Sequence, residues 1–168
     1  MRDSLVDLWP KDIETRRTLA PATILRQQSS LLAQKTSNLV HGEVVDKTSS
    51  RENFVYMFYL VAPALNNYSY LLLTLYHDIA LYPVRIVSED TILSELTDAF
   101  EVRIDEYEDS YVIVRNQDEY ENTLRGIFGS EKCIQVITSL LSQSDPQWSG
   151  EVANNSQTGA VADEDIPF

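Results

Sequence analysis

The sequence predicts an α+β domain built on an antiparallel sheet of about five strands, with helices before and after it and a disordered acidic tail. Three observations carry this prediction. Long β-branched and aromatic runs, Asn53–Ala62 and Tyr68–Ile79, lie only five residues apart and are joined by Pro63-Ala64-Leu65-Asn66-Asn67, which is turn chemistry and too short for a crossover to a parallel neighbour. Apolar residues at helical spacing frame these runs on both sides. After about Ser142 the composition changes abruptly, giving a domain over 1–142, a flexible linker over 143–162 and a terminal peptide over 163–168.

Each element follows in order. Pro21 suits a first helical turn, and Ile24, Leu25, Leu31 and Leu32 recur at helical spacing up to about Asn38. Arg16, Arg17, Arg26 and Lys35 make this region richer in positive charge than the rest, a solvated helix face in the simplest reading. His41–Lys47 is short and β-branched. Asn53–Ala62 is apolar on both alternating faces from Phe54 onward, which predicts a central strand covered on both faces. Tyr82–Val87 adds a third meander strand, with Pro83 at an edge or strand start. Ser88-Glu89-Asp90 offers a cap and early acids to a helix over Thr91–Phe100, whose Ile92, Leu93, Leu96 and Phe100 share a face. Val102–Ile104 and Tyr111–Val114 form a hairpin around 106–110. Glu119–Phe128 and Lys132–Leu141 are two closing helices split by Gly129-Ser130.

Charge and composition narrow the function. With 13 basic and 26 acidic residues the net charge is −13 over 168 residues, which repels phosphate backbones and favours a basic partner protein. The stretch Glu89–Glu121 holds twelve of the acids against Arg103 and Arg115. It reads as a solvated acidic face, or as a surface that engages a basic nuclease or DNA-binding protein in the manner of an inhibitor or immunity protein. A single cysteine, Cys133, permits no internal disulfide and suits a reducing compartment; it sits in an apolar helical stretch as a buried small residue. No signal-peptide pattern opens the chain, and Asn66-Asn67 interrupts the longest apolar run, so we expect a cytoplasmic protein with no membrane contact. Five glycines offer no phosphate loop, and His41, His77 and Cys133 offer no metal-ligand spacing. His77 and Asp78 are strand neighbours that face opposite ways, a strand-end His and an Asp turn rather than a catalytic pair. We therefore expect no enzyme, no cofactor and no metal.

The tail is the informative segment. From Gln143 onward it carries five acids and no Lys or Arg, and it ends Asp163-Glu164-Asp165-Ile166-Pro167-Phe168. Phe168 supplies a large apolar side chain beside an α-carboxylate, which a pocket flanked by Arg or Lys captures together. Pro167 fixes its own φ and biases Ile166 toward an extended form, lowering the ordering cost of binding. The three acids suit a basic rim. An acidic run followed by Ile-Pro-Phe resembles the C-terminal tip of bacterial single-stranded-DNA-binding protein. That resemblance covers six residues and implies a non-enzymatic adaptor or competitor that docks on proteins of replication, recombination and repair. It does not extend to the body, which lacks that family's basic, aromatic oligonucleotide-binding barrel. Tyr56, Phe58, Tyr59, Tyr68, Tyr70 and Tyr76 are not interleaved with Lys or Arg in sequence and read as core. Single-stranded-DNA binding by an aromatic sheet is accordingly the third reading, behind the adaptor and the acidic inhibitor.

Overall fold

The computed structural model describes residues 6–13 and 17–145. Four helices and six strands follow in the order α1 (Pro21–Lys35), β1 (His41–Asp46), β2 (Phe54–Ala62), β3 (Tyr68–His77), β4 (Val84–Ser88), α2 (Asp90–Ser94), β5 (Val102–Ile104), β6 (Ser110–Val114), α3 (Gln117–Phe128) and α4 (Glu131–Ser144). The fold is α+β, with every strand pair antiparallel and six strands where about five were expected. The sheet order is β1-β2-β3-β4-β6-β5, a four-strand meander whose last strand pairs with the far arm of the β5–β6 hairpin.

Local chemistry sets the boundaries. Pro21 opens α1, where its missing N–H costs nothing. Its end is a Schellman closure: Ser37 and Asn38 adopt positive φ, and the Asn38 N–H reaches the Ala33 carbonyl at 2.8 Å. The Thr36 hydroxyl then accepts the Val40 N–H at 3.2 Å and leads the chain into β1. Asn66 and Asn67, both with positive φ, turn β2 into β3. Asn116 caps α3 by accepting from the Glu119 N–H at 2.9 Å, and Glu119 returns the contact to the Arg115 N–H at 2.7 Å. Ser130 caps α4 at the Cys133 N–H, while the Glu95 carboxylate accepts from the Glu131 N–H at 2.9 Å.

All four helices contribute to one core with one face of the sheet. Phe58, Leu60 and Ala62 of β2, Val84 and Ile86 of β4 and Val112 and Val114 of β6 meet Leu25, Ile92, Tyr120 and Ile127 in that cluster. Leu72 and Leu73 both enter it although they are sequence neighbours, because the β2–β3 register slips between Phe58↔Leu73 and Tyr59↔Leu71. Tyr120 is the largest wholly buried side chain among the described residues, and its hydroxyl donates to the Pro21 carbonyl at 3.0 Å, tying α3 to the start of α1. Burial, followed by the neighbouring Tyr82, holds the Tyr120 phenol well above its ordinary pKa. Replacing Tyr120 by Phe keeps the packing and removes this bond, so urea unfolding should register a loss of about 1 kcal/mol.

Two expectations require correction. First, β2 is interior to the sheet but, among the described residues, carries helices on one face only; Val55, Met57 and Tyr59 on the other face are half-buried against their cross-strand neighbours. A fully apolar strand arises here because both faces of a wide sheet shield their centre, not because two layers cover it. Second, the helix expected over Thr91–Phe100 stops at Ser94. The Ser94 and Thr97 hydroxyls bond back to the Thr91 and Ser94 carbonyls at 3.0 Å each, and the chain continues in tight turns. Leu96 still reaches the core and Phe100 packs on its margin, so the apolar spacing was right and the helix type was not.

Candidate functional site

The six tip residues, Asp163, Glu164, Asp165, Ile166, Pro167 and Phe168, lie outside the described residues, as does most of the 143–162 linker. Within the domain, α4 runs to Ser144, two residues past the boundary expected at Ser142. Two surfaces of the domain have a chemistry of their own.

The first is the sheet face opposite the four helices of the described residues. Its centre holds Tyr59, Leu71, Tyr76, Val87, Tyr111 and Ile113, and Arg85 lies among them. The Arg85 guanidinium stacks 4.2 Å from the Tyr111 ring centroid and 5.6 Å from that of Tyr76. It also pairs with Asp105, which accepts the Tyr107 and Asp109 N–H groups at 2.9 and 3.0 Å. Burial pushes the Asp105 carboxyl upward, but these amides and Arg85 outweigh it and hold the group below its ordinary pKa. Sequence reading found no cation among the strand aromatics, because Arg85 meets Tyr76 and Tyr111 only across strands. The six strand aromatics also divide: Tyr56, Phe58 and Tyr70 belong to the core side, Tyr59 and Tyr76 to the open face, and Tyr68 is 52% exposed at a strand end.

The second surface is a groove between α1 and α4. Phe58, Leu60 and Cys133 form its floor, Leu31, Leu32, Phe128 and Ile137 its walls, and Lys35 with Gln28 its polar margin. The hollow measures about 230 Å³. Leu31 is 44% exposed on the wall, while Phe58, Leu60 and Cys133 are buried. Sequence reading placed Leu31 and Leu32 on an apolar helix face. It could not tell that α4 stops short of covering that face, since the gap depends on how two distant helices sit on β2.

Cys133 is buried as expected, and burial pushes its thiol up to about 11. Alkylation of the native protein at pH 8 should therefore run at least about 100-fold slower than in urea, where the thiol regains an ordinary pKa and full access. Comparable rates would place Cys133 outside the core.

His77 stacks on Phe54 and Tyr56, with ring centroids 5.3 and 5.9 Å away, and its Nδ1 lies 2.7 Å from the Asp78 carbonyl. The Asp78 side chain instead accepts from the Ala80 N–H. The two side chains are thus engaged separately, as the strand-end reading expects. Of the twelve acids in Glu89–Glu121, ten are exposed, and Asp105 and Glu119 are half-buried. Among the described residues no three of His, Cys, Asp and Glu converge as a metal cluster, and no helix is long and apolar enough to cross a membrane.

Comparison with protein-family models, curated proteins and solved structures gives no match.

Proposed function

We propose that the chain is a non-enzymatic adaptor or competitor. It docks through Asp163-Glu164-Asp165-Ile166-Pro167-Phe168 on genome-maintenance proteins that read the tip of single-stranded-DNA-binding protein. The observation that carries the reading is the tip itself: an apolar anchor after a chain-stiffening proline, behind three consecutive acids. Among the described residues the hydrophobic core closes on Cys133 and Leu140 of α4, and residues 145–162 stand between that helix and the tip.

Binding of the full chain, and of a version ending at Asp165, to a panel of tip-reading proteins tests this. A single-strand exonuclease, a recombination mediator and a replication-restart helicase make a suitable panel. Binding that needs the last three residues supports the adaptor; equal binding by both versions, or by neither, overturns it.

The exposed acids of Glu89–Glu121 favour a second reading, an inhibitor or immunity-type body that neutralises a basic nuclease or DNA-binding protein. Three acids of this stretch already serve the fold: Glu89 accepts from the Tyr70 hydroxyl, Glu95 from the Glu131 N–H of α4 and Glu119 from the Arg115 N–H ahead of α3. This reading predicts capture of a basic partner by the version ending at Asp165, with affinity that falls steeply with salt.

A further inference from the structure

The groove between α1 and α4 has the two attributes that an acidic, Phe-terminated peptide requires, and it lies between two helices that are poor in acids. Helix α1 contains no Asp or Glu, and α4 contains only Glu131. Between them they carry Arg26, Lys35 and Lys132, in a chain with twice as many acids as bases. Lys35, on the groove margin, has no ion-pair partner among the described residues. The floor and walls are aromatic and aliphatic: Phe58, Phe128, Leu31, Leu32 and Ile137. At about 230 Å³ the hollow is smaller than the roughly 300–1,000 Å³ of small-molecule pockets and is sized for one or two side chains.

We propose that this groove is an internal receptor for the chain's own tip. Phe168 and Ile166 occupy the apolar hollow, and the acids Asp163–Asp165 lie toward Lys35. The inference rests on the reading of the tip as a docking peptide and adds where the tip rests when no partner holds it. In an extended segment residues two apart share a face, so Ile166 and Phe168 enter the groove together, with Pro167 turned away. Reach is ample. From Ile137 to the end of α4 at Ser144 the helix rises only about 10 Å, and residues 145–168 span several times that when extended. A larger hollow of about 520 Å³ beneath Tyr68 and Tyr70 also has a cation, Lys132, but Gln135, Ser139 and Gln143 make its wall polar. An Ile-Pro-Phe segment gains less there.

Occupancy of the groove and capture by a partner are then mutually exclusive. The partner's apparent dissociation constant is raised by the reciprocal of the fraction of molecules whose tip is free. If the groove holds the tip in about nine molecules of ten, releasing it tightens partner binding about tenfold.

The test uses the full chain in two measurements. Amide resonances are compared between the wild type and Phe168→Ala, each at two protein concentrations. Affinity for a tip-reading single-strand exonuclease is compared among the wild type, Lys35→Glu and Leu31→Asp, both substitutions lying at exposed positions. The expected result is that Phe168→Ala shifts Leu31, Leu32, Phe128 and Ile137 at either concentration, and that both groove variants bind the exonuclease about tenfold more tightly. Unmoved groove resonances overturn the proposal, as does exonuclease affinity unchanged by the groove variants. Shifts that grow with concentration also overturn it, in favour of a second copy's tip. Exonuclease binding that needs Phe168 while the groove is silent leaves the adaptor reading standing alone. Concentration-independent groove shifts with no exonuclease binding to any variant support the internal receptor and refute the partner assignment.

Discussion

Removal of Ile166, Pro167 and Phe168 should reduce binding to a tip-reading partner by at least about 100-fold, the largest functional effect expected of any change in this chain. The reason lies in how unequally the six residues contribute. Phe168 is the one side chain large enough to fill an aromatic-sized pocket, and buried aromatic anchors cost roughly 2 kcal/mol or more when truncated, about 30-fold in affinity. Phe168→Ala alone should therefore account for most of the loss. Ile166→Ala removes a smaller apolar contact, and Pro167→Ala removes none but restores freedom to the unbound segment, so each should weaken binding by less. The acids act differently. Exposed charges at a rim contribute about 0–1 kcal/mol each and govern encounter more than residence. Neutralising Asp163, Glu164 and Asp165 together should slow association and flatten the salt dependence while dissociation changes little. Kinetic binding measurements at low and high salt separate these contributions. A triple acid-to-amide variant that loses binding through faster dissociation would refute the division of labour between anchor and rim.

The fold was legible where the determinants are local. Pro21, the Asn66-Asn67 turn, the Gly129-Ser130 break and the alternation in Val102–Ile104 and Tyr111–Val114 each act within a few residues, and each marks a real boundary. What escaped depends on residues far apart in sequence. The joining of the β5–β6 hairpin to the meander in the order β4-β6-β5 follows from Val84 pairing with Val114 across thirty residues, which no local pattern encodes. The one-sided cover of β2 is a property of where four helices land. The short α2 is an intermediate case: Ser94 and Thr97 carry the signal that helix would fail, yet the apolar spacing of Ile92, Leu93 and Leu96 outweighs it on inspection. The candidate sites divide along the same line. The tip is contiguous, so its six residues can be read directly; Arg85 between Tyr76 and Tyr111, and the groove margin at Lys35, are assembled only by the tertiary fold.

Phe58→Ala should cost about 3–5 kcal/mol in chemical unfolding, the largest loss expected of a single substitution in the domain. Phe58 is 2% exposed, its ring centroid lies 6.0 Å from that of Phe128, and it underlies both α1 and α4. A diagonal neighbour on β1, two residues from its ladder partner Val44, explains why an aromatic ring fits at all. Gly42 of β1 lies so close that an added Cβ would stand 2.5 Å from two atoms of the Phe58 ring and 3.0 Å from the Ser29 Cβ. Ser29 itself is held in place by its hydroxyl bond to the Gly42 carbonyl. A methyl group at position 42 has nowhere to go unless the ring moves, and a ring wedged between two helices and a sheet moves at a cost. Gly42→Ala should therefore destabilise by about 1–3 kcal/mol through overpacking, against the usual tendency of Gly→Ala to stabilise. The two effects are coupled. In a Phe58→Leu background the ring is gone and the added methyl fills space, so the cost of Gly42→Ala should shrink by at least about 1 kcal/mol. A double-mutant cycle by urea denaturation measures this directly. Additive losses would mean that Gly42 is needed for its backbone rather than for the room it leaves, and the close approach of β1 to the Phe58 ring would no longer explain the glycine.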